Sequence, residues 1–171
     1  LSDVKEYAAL RVEPLDEAFR EWNEKALLPV GYECNNLFLT DWDETDFGEL
    51  DFYDLFDVFY PQIYHRKIPW QSGENAGNST VYGIPSKEFE SVIQKFLNVK
   101  TDILREKTIY REKDDTYEYY PRGFYESEYP EHPYPEVTAF QENDDGTVTL
   151  TVHTVFPYLG SSRALVHEVT V

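Results

Sequence analysis

Glu136-Val137-Thr138-Ala139-Phe140-Gln141-Glu142-Asn143-Asp144-Asp145-Gly146-Thr147-Val148-Thr149-Leu150-Thr151-Val152-His153 is the stretch from which the fold is read. Polar and apolar side chains alternate on the far side of a turn-forming tetrapeptide, the period-two signature of a strand with one buried face. Asn143-Asp144-Asp145-Gly146 suits a type I turn followed by a glycine in the left-handed region, which closes a three-residue hairpin with a bulge. That register opposes Asn143 with Thr147, Phe140 with Leu150 and Thr138 with Val152. Val148, Leu150 and Val152 then share one face, and Thr149, Thr151 and His153 the other. Beyond Leu159-Gly160, residues 163–171 alternate again, placing Leu165, His167, Val169 and Val171 beside the apolar face. The expectation is an antiparallel meander with strands at 136–142, 147–156 and 163–171.

Working toward the N-terminus, the pattern becomes helical. Phe89, Val92, Ile93, Phe96 and Leu97 form one stripe of a helix at 86–97, with Ser86 as its expected N-cap and Glu88 in the first turn. Leu15, Phe19, Trp22 and Ala26 predict a helix that ends before Pro29, and Leu50, Tyr53, Phe56 and Tyr60 another that Pro61 stops or kinks. Thr101 or Asp102 caps a short turn, and Thr116–Tyr120 predicts a Tyr-rich strand. Residues 69–80 and 126–135 read as loops. The expected architecture is α+β: a helical N-terminal half, then an antiparallel sheet of three to five strands packed on the helix at 86–97. Residues 1–171 are taken as a single domain, with 1–13 as a lead-in. By analogy of layout alone, a helix wrapped by a meander suggests a cystatin-like or nuclear-transport-factor-like arrangement.

The 171 residues carry thirty-three Asp and Glu against fifteen Lys and Arg, a formal charge of −18. No basic patch is present for phosphate, which excludes nucleic acid as a partner class. An anionic membrane surface would repel the chain, and no apolar run is long enough to span a bilayer. Cys34 is alone, so no internal disulfide forms; it has no CxxC neighbour and reads as an inert thiol. The absence of methionine and the leucine at position 1 suggest a removed leader or a cut boundary.

Five elements together carry a resemblance: Ile84-Pro85-Ser86-Lys87-Glu88-Phe89-Glu90-Ser91-Val92-Ile93, Tyr119-Tyr120-Pro121-Arg122-Gly123, Pro135-Glu136-Val137, Asn143 through Val152, and His167-Glu168-Val169-Thr170-Val171. They resemble uncharacterised extracytoplasmic, lipoprotein-like domains of Gram-positive bacteria. The resemblance covers the C-terminal half. It implies export, as a secreted or cell-surface lipoprotein tethered by lipid through a removed N-terminal leader. It implies no activity, and no functional residue is carried over.

Three constellations have candidate chemistry. Asp41, Asp43 and Asp46 invite a calcium reading, because hard oxygen ligands recur at short spacing. Counted as an EF-hand loop, however, Asp46 stands where the motif needs glycine and Phe52 where it needs Glu. An acid-rich helix start explains the run as well. The fourteen tyrosines crowd toward residues 110–134, interleaved with acids. Tyr117, Tyr119 and Tyr125, with Trp70, form a candidate aromatic strip for stacking a glycan or a cationic peptide. Tyr as strand and loop filler is the plainer alternative. His153 and His167 fall on neighbouring strands and on opposite faces in the expected register; a slip of one residue would pair them. No GxSxG elbow or Gly-rich phosphate loop occurs, and Asn78-Ser79-Thr80 is a glycosylation sequon only in a eukaryotic secretory host. The reading favoured is a non-catalytic extracytoplasmic binding domain. The alternatives are a carboxylate-based hydrolase and a calcium-dependent accessory domain.

Overall fold

The computed structural model describes residues 16–30, 36–69, 81–120 and 133–171. Cys34, Trp70, Tyr125, the sequon at Asn78, the lead-in and residues 126–132 of the loop expected at 126–135 lie outside these residues, while Tyr134 and Pro135 of that expected loop belong to a strand. The chain gathers into two compact units. Leu1–Glu33 and Glu126–Val171 make the first. Cys34–Tyr125, inserted between those segments in sequence, makes the second.

In the first unit, helix α1 (Glu17–Trp22) starts at Asp16, whose carboxylate accepts from the Ala18 N–H at 2.9 Å. It runs directly into a π-helical turn, Asn23–Leu27, in which the Leu28 N–H reaches the Asn23 carbonyl at 2.9 Å. The meander is β4 (Tyr134–Glu142), β5 (Val148–Phe156) and β6 (Ser161–Thr170), numbered after three strands of the second unit given below. Its order is β4-β5-β6, antiparallel throughout. The turn forms as its residues dictate. The Gly146 N–H donates to Asn143 O (3.1 Å), the Asn143 N–H donates to Thr147 O (2.9 Å), and Gly146 sits at φ 87°.

Phe140 opposes Leu150 as expected. Ala139 still opposes Thr151, and then the register slips: Val137, not Thr138, opposes Val152, and Thr138 bulges out of the ladder. The expected Thr138–Val152 pair is thereby replaced. Beside the bulge, the Val137 N–H donates to the buried Asn23 side chain at 3.2 Å. Phe19 and Trp22 of α1 rest on Phe140, with ring centroids 6.0 and 6.4 Å apart. Helix α1 and the π turn are therefore the helical cover of this sheet within its unit, and they lie against β4.

The second unit has β1 (Tyr82–Pro85), β2 (Tyr110–Arg111) and β3 (Thr116–Tyr119) in the order β1-β3-β2. Its helices are α2 (Phe52–Tyr64), α3 (Ser86–Gln94) and α4 (Thr101–Lys107). Asp51 caps α2 by accepting from the Tyr53 and Asp54 N–H groups at 2.9 and 3.2 Å. Pro61 lies inside α2 instead of stopping it, and the helix continues to Tyr64 before His65 closes it at φ 52°. Ser86 is not the cap of α3. Strand β1 runs straight into the helix, Pro85 takes the cap position, and the Ser86 N–H donates to Asp115 O at 3.0 Å.

Helix α3 packs on α2 and on the β1–β3–β2 sheet. Sheet-on-helix packing is found for the helix expected at 86–97, but on the smaller sheet. The core between them is aromatic: Phe56 stacks on Phe89 at 5.0 Å, and Phe89 on Tyr117 at 4.4 Å. Gly48 turns the chain ahead of α2 at φ 48°, and a Cβ there would stand 2.9 Å from the Asp41 carbonyl oxygen.

Candidate functional site

The structure places Tyr117 and Tyr119 inside. Strand β3 alternates, sending Thr116 and Glu118 outward and both tyrosines into the core at 0% exposure. Tyr117 is one rung of a ring column that continues to Tyr110 (5.2 Å) and ends under the Arg105 guanidinium, 4.1 Å from the Tyr110 ring. Its hydroxyl donates to Glu90 at 2.9 Å, and Arg105 bridges to the same carboxylate at 3.4 Å. These rings build the fold, so the surface strip expected of them is not formed by this pair. The period-two alternation of Thr116-Tyr117-Glu118-Tyr119 already separates in from out.

Asp41, Asp43 and Asp46 lie in the loop before α2, and the carboxylates of Asp43 and Asp46 accept hydrogen bonds from the loop itself. Asp43 Oδ1 accepts from the Thr45 hydroxyl (2.6 Å), the Thr45 N–H (2.7 Å) and the Asp46 N–H (2.9 Å). Those bonds, led by the Thr45 hydroxyl, hold the Asp43 carboxyl below its ordinary range. Asp46 Oδ1 accepts from the Gly48 N–H at 2.9 Å. Asp43 and Asp46 thus serve as local turn caps. Among the described residues no group of three His, Cys, Asp or Glu side chains is placed to hold a metal ion.

His153 opposes Val166 and His167 opposes Val152, so the two histidines occupy opposite faces, as the expected register has it. Burial lowers both imidazoles, with Arg163 adding to the effect at His153. A shallow concavity of about 470 Å³ opens over Gln94–Val99, and Lys95 is its one ionisable lining residue. It brings no acids together.

One group escapes the sequence reading altogether. Asp57, on the inner side of α2, is 3% exposed. Its Oδ1 accepts from the Tyr119 hydroxyl at 2.7 Å, while Oδ2 is buried with no hydrogen-bond partner. Burial pushes this carboxyl up to about 7; the Tyr119 bond opposes that rise and the Asp51 charge adds to it. A protonated carboxyl suits this setting, because it carries no charge into the core. Nothing in the acid-rich run 41–60 distinguishes Asp57 from its exposed neighbours except its place on the Phe52/Phe56/Tyr60 side of the helix.

The outer edge of the meander is different in kind. Strand β6 is ten residues long, and among the described residues only β5 pairs with it. Leu165 and Val166 point to opposite faces and are 44% and 47% exposed. With Tyr158 and Leu159 at the corner before the strand and Val171 after it, residues 158–171 hold five of the twelve large exposed apolar side chains among the described residues. Edge strands are usually short, or guarded by charged side chains or proline; β6 has no lysine or proline and carries charge only at Arg163 and Glu168, toward its two ends.

No helix among the described residues is long and apolar enough to cross a membrane. No curated protein and no solved structure matches the chain. A family model described as a family of unknown function, DUF6070, matches residues 1–171, and over that whole length the chain belongs to this family.

Proposed function

We propose that the protein is a non-catalytic binding domain that works outside the cytoplasm and takes its partner along the β6 edge. The observation that carries this is the exposed apolar pair Leu165 and Val166 on a long strand that β5 pairs on one side, with Tyr158, Leu159 and Val171 exposed at its two ends. A strand edge of this kind presents main-chain N–H and C=O groups at a regular spacing, and an extended peptide satisfies them by adding as a further strand. Apolar side chains on both faces of β6 give that peptide something to pack against. A glycan offers no equivalent ladder, so peptide is the preferred ligand class.

The test is selection of short, extended peptides displayed on phage against the protein, followed by measurement on two variants. Val166→Lys should abolish binding, because it sets a charge on the edge. Ile109→Lys, at an exposed apolar site of the second unit, should leave binding intact. Equal binding to both variants would sink the reading.

Placement outside the cytoplasm draws on the extracytoplasmic resemblance of the C-terminal half and on a composition with one cysteine and no methionine, which leaves little to oxidise. A lipid tether on a leader upstream of residue 1, in a Gram-positive cell, completes this reading. Protease added to intact cells should degrade the native protein; full protection would overturn the placement.

A further inference from the structure

We infer that the occupant of the β6 edge is a cationic extended segment, with basic residues at the end lying beside residues 168–171. The inference rests on the edge reading above and adds the chemistry of the partner.

Charge along the edge carries it. Among residues 133–171 the acids are Glu136, Glu142, Asp144, Asp145 and Glu168, and the sole Lys or Arg is Arg163. The two signs are separated along β6. Thr149 opposes Thr170, and Val148 and Val171 exchange main-chain hydrogen bonds at 2.9 Å. This docks the C-terminal end of β6 at the foot of the Asn143–Gly146 hairpin, where Glu142, Asp144 and Asp145 stand. Glu168 lies on the strand itself, two residues from that end. Arg163 lies at the other end, next to the Tyr158–Gly160 corner. A strand laid along this edge meets a negative field at one end and a single cation at the other.

Strand geometry then sets the pattern of the partner. Antiparallel addition gives the better-aligned hydrogen bonds. In that direction the N-terminal end of the guest lies beside Glu168 and the hairpin. Its basic residues therefore come first, followed by alternating β-branched residues that meet Leu165 on one face and Val166 on the other. A second copy of this chain is disfavoured as occupant, since each copy brings a formal charge of −18 to the contact.

The experiment uses the full chain and three synthetic peptides followed by fluorescence anisotropy: Lys-Lys-Val-Thr-Val-Thr-Val, the same sequence with Glu-Glu in place of Lys-Lys, and the lysine peptide N-methylated at alternate residues. The lysine peptide should bind, more tightly at low salt. The glutamate and N-methylated peptides should not. Glu168→Lys combined with Asp144→Lys should weaken the lysine peptide by about tenfold, the worth of two surface ion pairs. Glutamate and lysine peptides binding alike would overturn the cationic partner while the edge reading stands. Failure of both, or N-methylation without effect, would overturn the edge reading itself. A dimer in sedimentation that Val166→Lys disperses would name a second copy as the occupant and refute the cationic segment.

Discussion

Replacing Asp57 with Asn should flatten the pH dependence of folding of the inserted unit. In the folded chain the Asp57 carboxyl is pushed up to about 7, against 3.8 for a free side chain. A shift of roughly 3 units at ~1.36 kcal/mol each amounts to ~4 kcal/mol of pH-linked stability. The sign follows from proton binding. Between these two values the folded state holds a proton that the unfolded state has released, so stability falls as pH rises. The contribution is fully present below about pH 4 and is lost as pH rises through about 7. Asn has nearly the same shape, keeps an oxygen for the Tyr119 hydroxyl and does not titrate. The stability difference between D57N and the native chain should therefore move in favour of the variant by ~4 kcal/mol from acid to mildly alkaline pH. Urea denaturation across that range measures it, with Trp42, stacked on Phe47 in the same unit, as the fluorescent reporter. Subtracting the two curves removes the titration of the other acids. If the curves run parallel, Asp57 is ionised or solvated in the folded state, and the argument from its unpartnered Oδ2 fails.

Three more outcomes are expected. Asn23→Ala removes the acceptor of the buried Val137 N–H and should cost ~1–3 kcal/mol in thermal or chemical unfolding; a neutral result would show that the bulge in β4 does not depend on Asn23. Gly48→Ala forces a left-handed φ on a residue with a Cβ, at roughly 1–2 kcal/mol, and adds a contact of 2.9 Å with Asp41 O. A drop in Tm smaller than that of a control Ala substitution on the surface would contradict the geometry. Calcium should leave Tm unchanged, because Asp43 Oδ1 already accepts three hydrogen bonds. A calcium-dependent rise that Asp43→Asn abolishes would show that the loop reorganises around the ion.

The hairpin at 143–146 could be read in advance because its determinants are local: alternation on either side, and one glycine at a positive φ. The slip at Thr138 could not. The Val137 N–H beside it bonds to Asn23, 114 positions away and outside any window of pattern. Strand β1 was hidden by its own composition. Gly83 and Pro85 argue against a strand, and Pro85 is tolerated because β1 is an edge. Pro61 misleads in the opposite sense: its missing N–H matters less than the Phe52, Phe56 and Phe59 side chains that α2 buries around it. The candidate sites follow the same logic. The tyrosine cluster was visible as composition, but its inward direction came from β3 alternation. Strand β6 was visible as a strand, while its position at the edge, which makes it a surface for binding, is a property of strand order.

The order of the two units along the chain has a consequence for folding. Residues 34–125 are one continuous segment and can fold by themselves as a unit. Asn23 and α1 precede them but wait for β4, since the bond from Val137 spans 114 positions. During that interval the apolar side of α1, with Phe19 and Trp22, has no sheet to lie on. Closing so long a loop is slow when the intervening chain is flexible, and less so once the inserted segment is compact. Variants that destabilise residues 34–125, Gly48→Ala among them, should delay formation of the meander in refolding kinetics even though no residue of the meander has changed.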